Sequence, residues 1–263
     1  MSAKVAICVP IKNRAAAVNV SVRSLLDQDY DNYVILACDG ISRDSTMNEL
    51  MAIQDETKGK LIAWQTEQEG YINTMNFILS KVDADYFCFV DSDDFIQKNK
   101  LSEQVKFLDE NPDVDVVSCT LMLSDKHVLA NSMVDLTPAQ INDYLKGNNP
   151  INTVCHFQSC MFRKKVLESF PNKKYFFDEY NEGRAGEGFL YTLHFLGYNI
   201  ANIKSTMYIY CKGVMKDSMS RNLKQEFADN VDLLDYENKK TLMMELLNQY
   251  NPQTKKRGRP KKA

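Results

Sequence analysis

The sequence predicts an α/β fold: a mainly parallel central sheet flanked by helices, with a less regular second half and C-terminal helices. Three observations carry that expectation. Short apolar runs alternate with amphipathic stretches through the first half. The runs lack period-2 alternation, as strands covered on both faces do. A chain of 263 residues, 44% hydrophobic and 25% charged, is long and apolar enough to bury a real core. Whole-chain disorder and fibrous classes are excluded.

The first strand is expected at Val5 to Val9, and the next helix at Ala15 to Leu26, where Val18, Val22, Leu25 and Leu26 recur at helical spacing. Strands follow at Tyr33 to Cys38, Leu61 to Trp64, Tyr86 to Val90 and Val114 to Cys119. Helices fall between them at Ile72 to Val82 and Leu101 to Leu108. In the second half, Thr137 caps a helix through Leu145 with Pro138 at its first position. Phe157 to Phe162 reads as a strand and Glu187 to Leu196 as a helix closed by Gly197. Asn199 to Ile203 and Met207 to Tyr210 read as further strands, and Asn222 to Tyr250 as mostly helical.

No apolar run approaches bilayer-crossing length, and the N-terminal run is too short for a signal sequence. The seven cysteines form no disulfide framework; four lie in strand-like runs, where thiols act as small apolar groups. That usage favours a reducing, cytoplasmic setting, the host's cytoplasm if the source is viral. The net charge of −3 hides an asymmetry. Six positive charges fall in the last nine residues, so the body holds 26 basic against 35 acidic residues, about −9. Only the tail is suited to a polyanion.

In open parallel sheets, ligands bind beyond the carboxyl ends of the strands. The residues that follow the apolar runs are Pro10 to Arg14, Asp39 to Asp44, and Asp91-Ser92-Asp93-Asp94. If the chain stays extended at the last cluster, Asp91 and Asp93 face one way. Two carboxylates with open coordination suit Mg²⁺ or Mn²⁺ bridging substrate phosphates. A strand-end turn whose aspartate caps the next helix accounts for the same letters. Asp39-Gly40 reads equally as a turn, and Asn13-Arg14 as a helix entry. Cys155-His156 with Cys160 lacks a second pair at zinc-site spacing and reads as packing. No Walker loop and no Gly-rich dinucleotide fingerprint occurs in the sequence.

Taken in order, these segments resemble the family-2 glycosyltransferases of GT-A fold. Pro10-Ile11-Lys12-Asn13-Arg14 resembles that family's P-x-Y-N-R turn, and Ser24 to Tyr30 its S-L-L-x-Q-x-Y helix end. Cys38 to Asp44 resembles D-D-G-S-x-D, with Cys38 at the first aspartate and Ile41 inserted. Glu69-Gly70-Tyr71, with Asn76 further on, resembles the segment opening the third helix. Asp91 to Asp94 and Lys100 to Pro112 match almost letter for letter.

The resemblance implies a nucleotide-sugar half over 1–120, an acceptor half over 121–221, a helical segment over 222–250 and a basic tail over 251–263. It implies a UDP-sugar donor whose base meets Asp39. Pro10, Asn13, Arg14 and Gly70 would line the nucleotide pocket. Asp91, Ser92 and Asp93 would hold ribose and diphosphate, with Mn²⁺ or Mg²⁺ on Asp91 and Asp93. Transfer would invert the anomeric centre and need a general base. The family's E-D pair corresponds to Glu187 and Gly188, which makes Glu187 the candidate and Asp178 a weaker one. The family's arginine and histidine are absent from the stretch after Tyr208-Ile209-Tyr210, where Lys212 and Lys216 stand before Ser218-Met219-Ser220.

The tail resembles an AT-hook through Arg257, Gly258, Arg259 and Pro260, whose narrow centre fits a minor groove while flanking lysines meet phosphates. A solvated basic end reads from the same letters. Joined to a sugar-transfer domain, a DNA-binding tail points to glycosylation of hydroxymethylated bases, as in phage DNA. The alternatives are a glycan or cell-envelope acceptor, and a non-catalytic module that binds nucleotide sugar or DNA.

Overall fold

The computed structural model describes residues 3–123, 135–178, 182–211 and 235–250. Among them, eight strands form one mixed sheet in the order β3-β2-β1-β4-β7-β6-β8-β5. The first four are parallel: β1 (Ala3–Ile11), β2 (Tyr33–Asp39), β3 (Leu61–Gln65) and β4 (Ala84–Phe89). Helices α1 (Ala15–Ser24), α2 (Thr46–Thr57) and α3 (Tyr71–Ser80) connect them. Val5, Ile7 and Val9 face one core cluster, and Ala6 and Cys8 the other. Burial on both faces is why the apolar run does not alternate.

Beyond β4 the pairing changes. β5 (Phe95–Ile96) lies at the far edge, and α4 (Lys100–Glu110) leads into β6 (Val116–Leu123). β7 (Met161–Arg163) inserts antiparallel between β4 and β6, and β8 (Ile200–Tyr210) runs parallel to β6. α5 (Pro138–Lys146) begins with the expected cap: Gln140 N–H donates to Thr137 Oγ1, and Thr137 N–H to Gln140 Oε1. α6 (Ala185–Phe195) ends as expected at Gly197, which takes φ +87° while Tyr198 N–H returns to the Leu193 carbonyl. α7 (Tyr236–Tyr250) packs on α6, and no helix among the described residues is long and apolar enough to cross a membrane.

Three expectations need correction. Phe157 to Ser159 is a 3-10 turn, and the strand begins only at Met161. The Phe157 ring sits within an aromatic cluster of Phe89, Phe162, Phe176 and Phe189, so its apolar character reports burial and not extension. The two strands expected over 199–210 are one, whose irregular register against Cys119 to Leu121 explains the polar interruption at Lys204-Ser205. Helix α2 was not expected. It buries only Thr46, Leu50 and Ile53, too sparse an apolar stripe to announce itself.

All seven cysteines are free and buried. Cys155 Sγ lies 3.3 Å from Cys160 Sγ, and burial holds the His156 imidazole down to about 4.

Candidate active site

The carboxyl ends of β1, β2, β3 and β4 bring three loops together. At the first, Asn13 takes φ +52°. Its N–H donates to Ser42 Oγ at 2.7 Å, and its Oδ1 accepts from Arg43 N–H at 2.9 Å. Arg14 N–H donates to Thr46 Oγ1 at 2.8 Å, which fastens the start of α1 to the start of α2. Asp44 anchors the same junction, accepting from Ala15 N–H and Thr46 N–H.

Asp39 ends β2 fully buried. Its carboxylate accepts from Ser42 N–H and Oγ–H and from Gln65 Nε2 at 2.7 Å. That carboxylate therefore shapes the loop. Gly40 allows the tight approach of α3, because a Cβ there would sit 2.9 Å from Thr74 Oγ1. The inserted Ile41 sits at φ +61°, a region costly for a β-branched residue, which brings Ser42 back onto Asp39. Gly70 opens α3 at φ +118°, beside the Lys12–Glu69 ion pair of 2.5 Å. Asn76 holds a different segment: its Oδ1 accepts from Tyr175 and Phe176 N–H, and its Nδ2 donates to the Phe176 carbonyl.

The acidic cluster does not stay extended. The chain turns after Val90, closed by Asp94 N–H to the Asp91 carbonyl at 3.0 Å. Arg14 still meets it, with Nη2 3.9 Å from Asp93 Oδ2, while Nη1 is tied to the Lys12 and Asn13 carbonyls. Gln158 Nε2 stands 3.4 Å from Asp91 Oδ2. Burial and the Asp93 charge push the Asp91 carboxyl well above the usual carboxylate range, and burial with the Asp91 charge does the same to Asp94. Asp94 is an anchor: its oxygens accept from Tyr208 Oη and Cys211 N–H, each at 2.8 Å.

Among the described residues, no three His, Cys, Asp or Glu side chains form a ready cage for a metal. Asp91 and Asp93 suit a cation whose remaining ligands come from substrate phosphates and water. The crowding of carboxylates under partial burial is what such a cation would relieve.

Glu187 lies in the first turn of α6. Both of its carboxylate oxygens take Arg184 Nη1 at 2.9 Å, and Oε1 also takes Asn152 Nδ2 at 3.0 Å. Gly188 is buried, whereas Glu187 is partly exposed. The Phe157–Ser159 turn joins this helix to the acidic cluster, with Gly186 against Phe157 on one side and Gln158 at Asp91 on the other. The buried pair within the Lys100 to Pro112 stretch supports that turn from below. Lys100 Nζ donates to Gln104 Oε1 at 2.6 Å, and Gln104 Nε2 to the Ser159 carbonyl at 2.8 Å.

A Cβ at Gly186 would lie 2.5 Å from Phe157 Cγ, and the ring is hemmed in by its aromatic neighbours. Overpacking of this kind costs about 1–3 kcal/mol, against at most about 1 kcal/mol gained in helix propensity. Gly186→Ala should therefore lower the unfolding free energy by about 1–2 kcal/mol in urea titrations. A more stable alanine variant would show that Phe157 can yield.

Asp178 is exposed and paired with Lys174 at 2.8 Å, and no described contact joins it to the acidic turn. Ser92 is buried within the turn, and Pro10 lies within β1 opposite Cys38. Lys212, Lys216, Ser218 to Ser220 and the tail residues Arg257, Gly258, Arg259 and Pro260 lie outside the described residues. Tyr208, Gln158, Arg184 and Asn152 were not singled out in the sequence. A signal existed only for Tyr208, since a tyrosine in a buried strand needs a partner for its hydroxyl.

The chain resembles WfgD of Escherichia coli, a UDP-Glc:alpha-D-GlcNAc-diphosphoundecaprenol beta-1,3-glucosyltransferase, with 30% identity over 107 residues, 41% of this chain and 42% of that protein. An uncharacterized glycosyltransferase of Haemophilus influenzae is 31% identical over 107 residues, 41% of this chain and 43% of that one. The match thus spans less than half the length of these curated relatives. In structure, TarS 1-349 of S. aureus with UDP-GlcNAc superposes with TM-score 0.68 at 19% identity, covering 94% of this chain and 72% of that one. The mannosyltransferase PcManGT of Pyrobaculum calidifontis, with GDP-Man and Mn²⁺, gives TM-score 0.63 at 18% identity, covering 92% and 65%. These neighbours share the GT-A-like fold. The model of Glycosyl transferase family 2 matches residues 6–170, which hold the Asn13-Arg14 loop, the Asp39 loop and the Asp91 to Asp94 turn, so the chain belongs to that family of glycosyltransferases.

Proposed function

We propose that this glycosyltransferase moves a sugar from a UDP-sugar to an acceptor hydroxyl with inversion, using Mn²⁺ or Mg²⁺. The observation that carries the reading is the Asp91–Asp93 turn at the carboxyl rim of the sheet, facing Arg14 across 3.9 Å. Asp91 and Asp93 would hold the cation, whose bound charge would offset that developing on the departing diphosphate. Arg14 adds a fixed positive charge beside them. The Asp39–Ser42 and Asn13–Arg43 contacts keep the nucleotide loops in place before substrate arrives. Glu187 takes the proton as the acceptor oxygen bonds to the anomeric carbon and the bond to the diphosphate breaks. The TarS complex with UDP-GlcNAc supports the donor, and the PcManGT complex with Mn²⁺ supports the cation.

Two acceptors have support. The names of WfgD and of TarS, a poly(ribitol-phosphate) transferase, point to a lipid-linked or polymeric glycan of the cell envelope. The basic tail points to modified DNA. Helix α7 runs antiparallel to α6, from Tyr236 at His194 to Tyr250 stacked on Phe177. Six positive charges begin five residues beyond that seat, at Lys255.

Donor turnover should be measured with Mn²⁺ on a diphosphoprenol-linked sugar, on poly(ribitol phosphate) and on hydroxymethylated duplex DNA. The full chain and a chain lacking residues 254–263 should be compared. A DNA acceptor requires labelled DNA, lost at least about tenfold on deleting the tail and weakened by salt. A glycan acceptor requires transfer that survives the deletion. UDP binding without turnover on any acceptor would leave the non-catalytic module.

A further inference from the structure

We propose that Tyr208 is a positioning residue for sugar transfer: its hydroxyl holds the Asp91 to Asp94 turn in the shape that binds cation and diphosphate. The inference rests on Asp91 and Asp93 being the donor-binding carboxylates, and goes beyond it by naming what fixes them. The two-residue strand β5 pairs with β8, setting Ile96 opposite Tyr208 and Phe95 opposite Ile209. From that register the Tyr208 side chain reaches the acidic turn. Its Oη accepts from Asp91 N–H at 3.2 Å and donates to Asp94 Oδ2 at 2.8 Å. The other Asp94 oxygen takes Cys211 N–H, the first residue past β8. One hydroxyl thus meets both ends of the four-residue turn that displays Asp93 between them.

Tyr208 is fully buried and Asp94 is 1% exposed, so water cannot replace the missing partner if the hydroxyl is removed. The Asp94 oxygen and the Asp91 N–H left without that hydroxyl would leave the present geometry for solvent. The turn would then lose the preorganisation that makes two carboxylates an effective ligand pair. A phenylalanine has the same ring but neither donates nor accepts. Sequence periodicity cannot show this role, because a strand tyrosine facing the core looks the same wherever its hydroxyl points.

The test compares Tyr208→Phe with Tyr33→Phe. The Tyr33 hydroxyl is also buried and donates to the Leu25 carbonyl at 2.9 Å, at the opposite end of the parallel strands. Tyr208→Phe loses two hydrogen bonds and Tyr33→Phe one, and both should melt at a lower Tm. Mn²⁺ affinity with UDP present, read by electron paramagnetic resonance without turnover, should weaken about tenfold in Tyr208→Phe and stay within about twofold in Tyr33→Phe. Wild-type affinity in folded Tyr208→Phe, or an equal loss in Tyr33→Phe, overturns the assignment. If the wild-type protein binds UDP but no Mn²⁺, the cation reading fails by itself. The positioning role is then decided by amide hydrogen exchange over residues 91–96 and 207–211. Faster exchange there in Tyr208→Phe alone supports it, and unchanged exchange overturns it.

Discussion

Asp93→Asn is expected to lower kcat for sugar transfer by about 10³-fold or more, with a Tm close to that of the wild-type protein. The contrast follows from how little the fold asks of this side chain. Asp93 has a long 3.9 Å approach to Arg14, whereas Asp39 and Asp94 each satisfy several buried groups. Arg14 keeps its bonds to the Lys12 and Asn13 carbonyls when Asp93 is neutralised. Chemistry, in contrast, would lose half of its carboxylate pair. Asp94→Asn reverses the balance, acting first on stability and on the 211 end of β8. Transfer rates, Mn²⁺ titration and thermal melts on both variants check the contrast. Retention of a tenth of wild-type kcat in Asp93→Asn would remove this residue from the ion's ligands.

Glu187→Gln should lower kcat by about 10²- to 10⁴-fold while the donor KM changes little, the signature of a lost proton acceptor. Glutamine keeps the volume and the bond from Asn152 but gives up the charge opposite Arg184. Two roles therefore separate. A base lost from the transition state slows turnover with little change in melting. An ion pair that only secures the start of α6 lowers Tm and leaves kcat near wild type. A surface pair of this kind is worth about 1 kcal/mol or less, so the second pattern would be modest in size and easily told apart. Arg184→Ala supplies the converse, since it removes the pairing and leaves the carboxylate in place.

Much of the parallel half was legible because local patterns and topology agree there. Apolar runs at Val5, Tyr33 and Tyr86 mark strands that pair in parallel, and the loops after them fall on one rim by the geometry of such sheets. In the second half, Thr137-Pro138 still marked a helix start through capping, and Gly197 a helix end through its backbone freedom. The rest of the second half was less legible. Phe157 to Phe162 looks like a strand by composition, yet half of it is a 3-10 turn wrapped around an aromatic core. Whether Glu187 lies near any partner depended on Arg184 and Asn152, 35 residues away in the latter case.

By itself, the sequence determined the strands of the parallel half, the order of the rim loops and the identity of their acidic side chains. Each of these follows from short-range periodicity or from the direction of strands in a parallel sheet. Only the tertiary structure decided that Asp39 and Asp94 are each held by several donors, while the Asp91 and Asp93 carboxylates meet longer approaches, from Gln158 at 3.4 Å and Arg14 at 3.9 Å. It also decided that one hydroxyl on β8 holds the acidic turn. The three aspartates of D-S-D-D are alike in chemistry; what sets Asp94 apart is that both its oxygens find a buried donor, and those donors arrive from Tyr208 and Cys211 on a distant part of the chain.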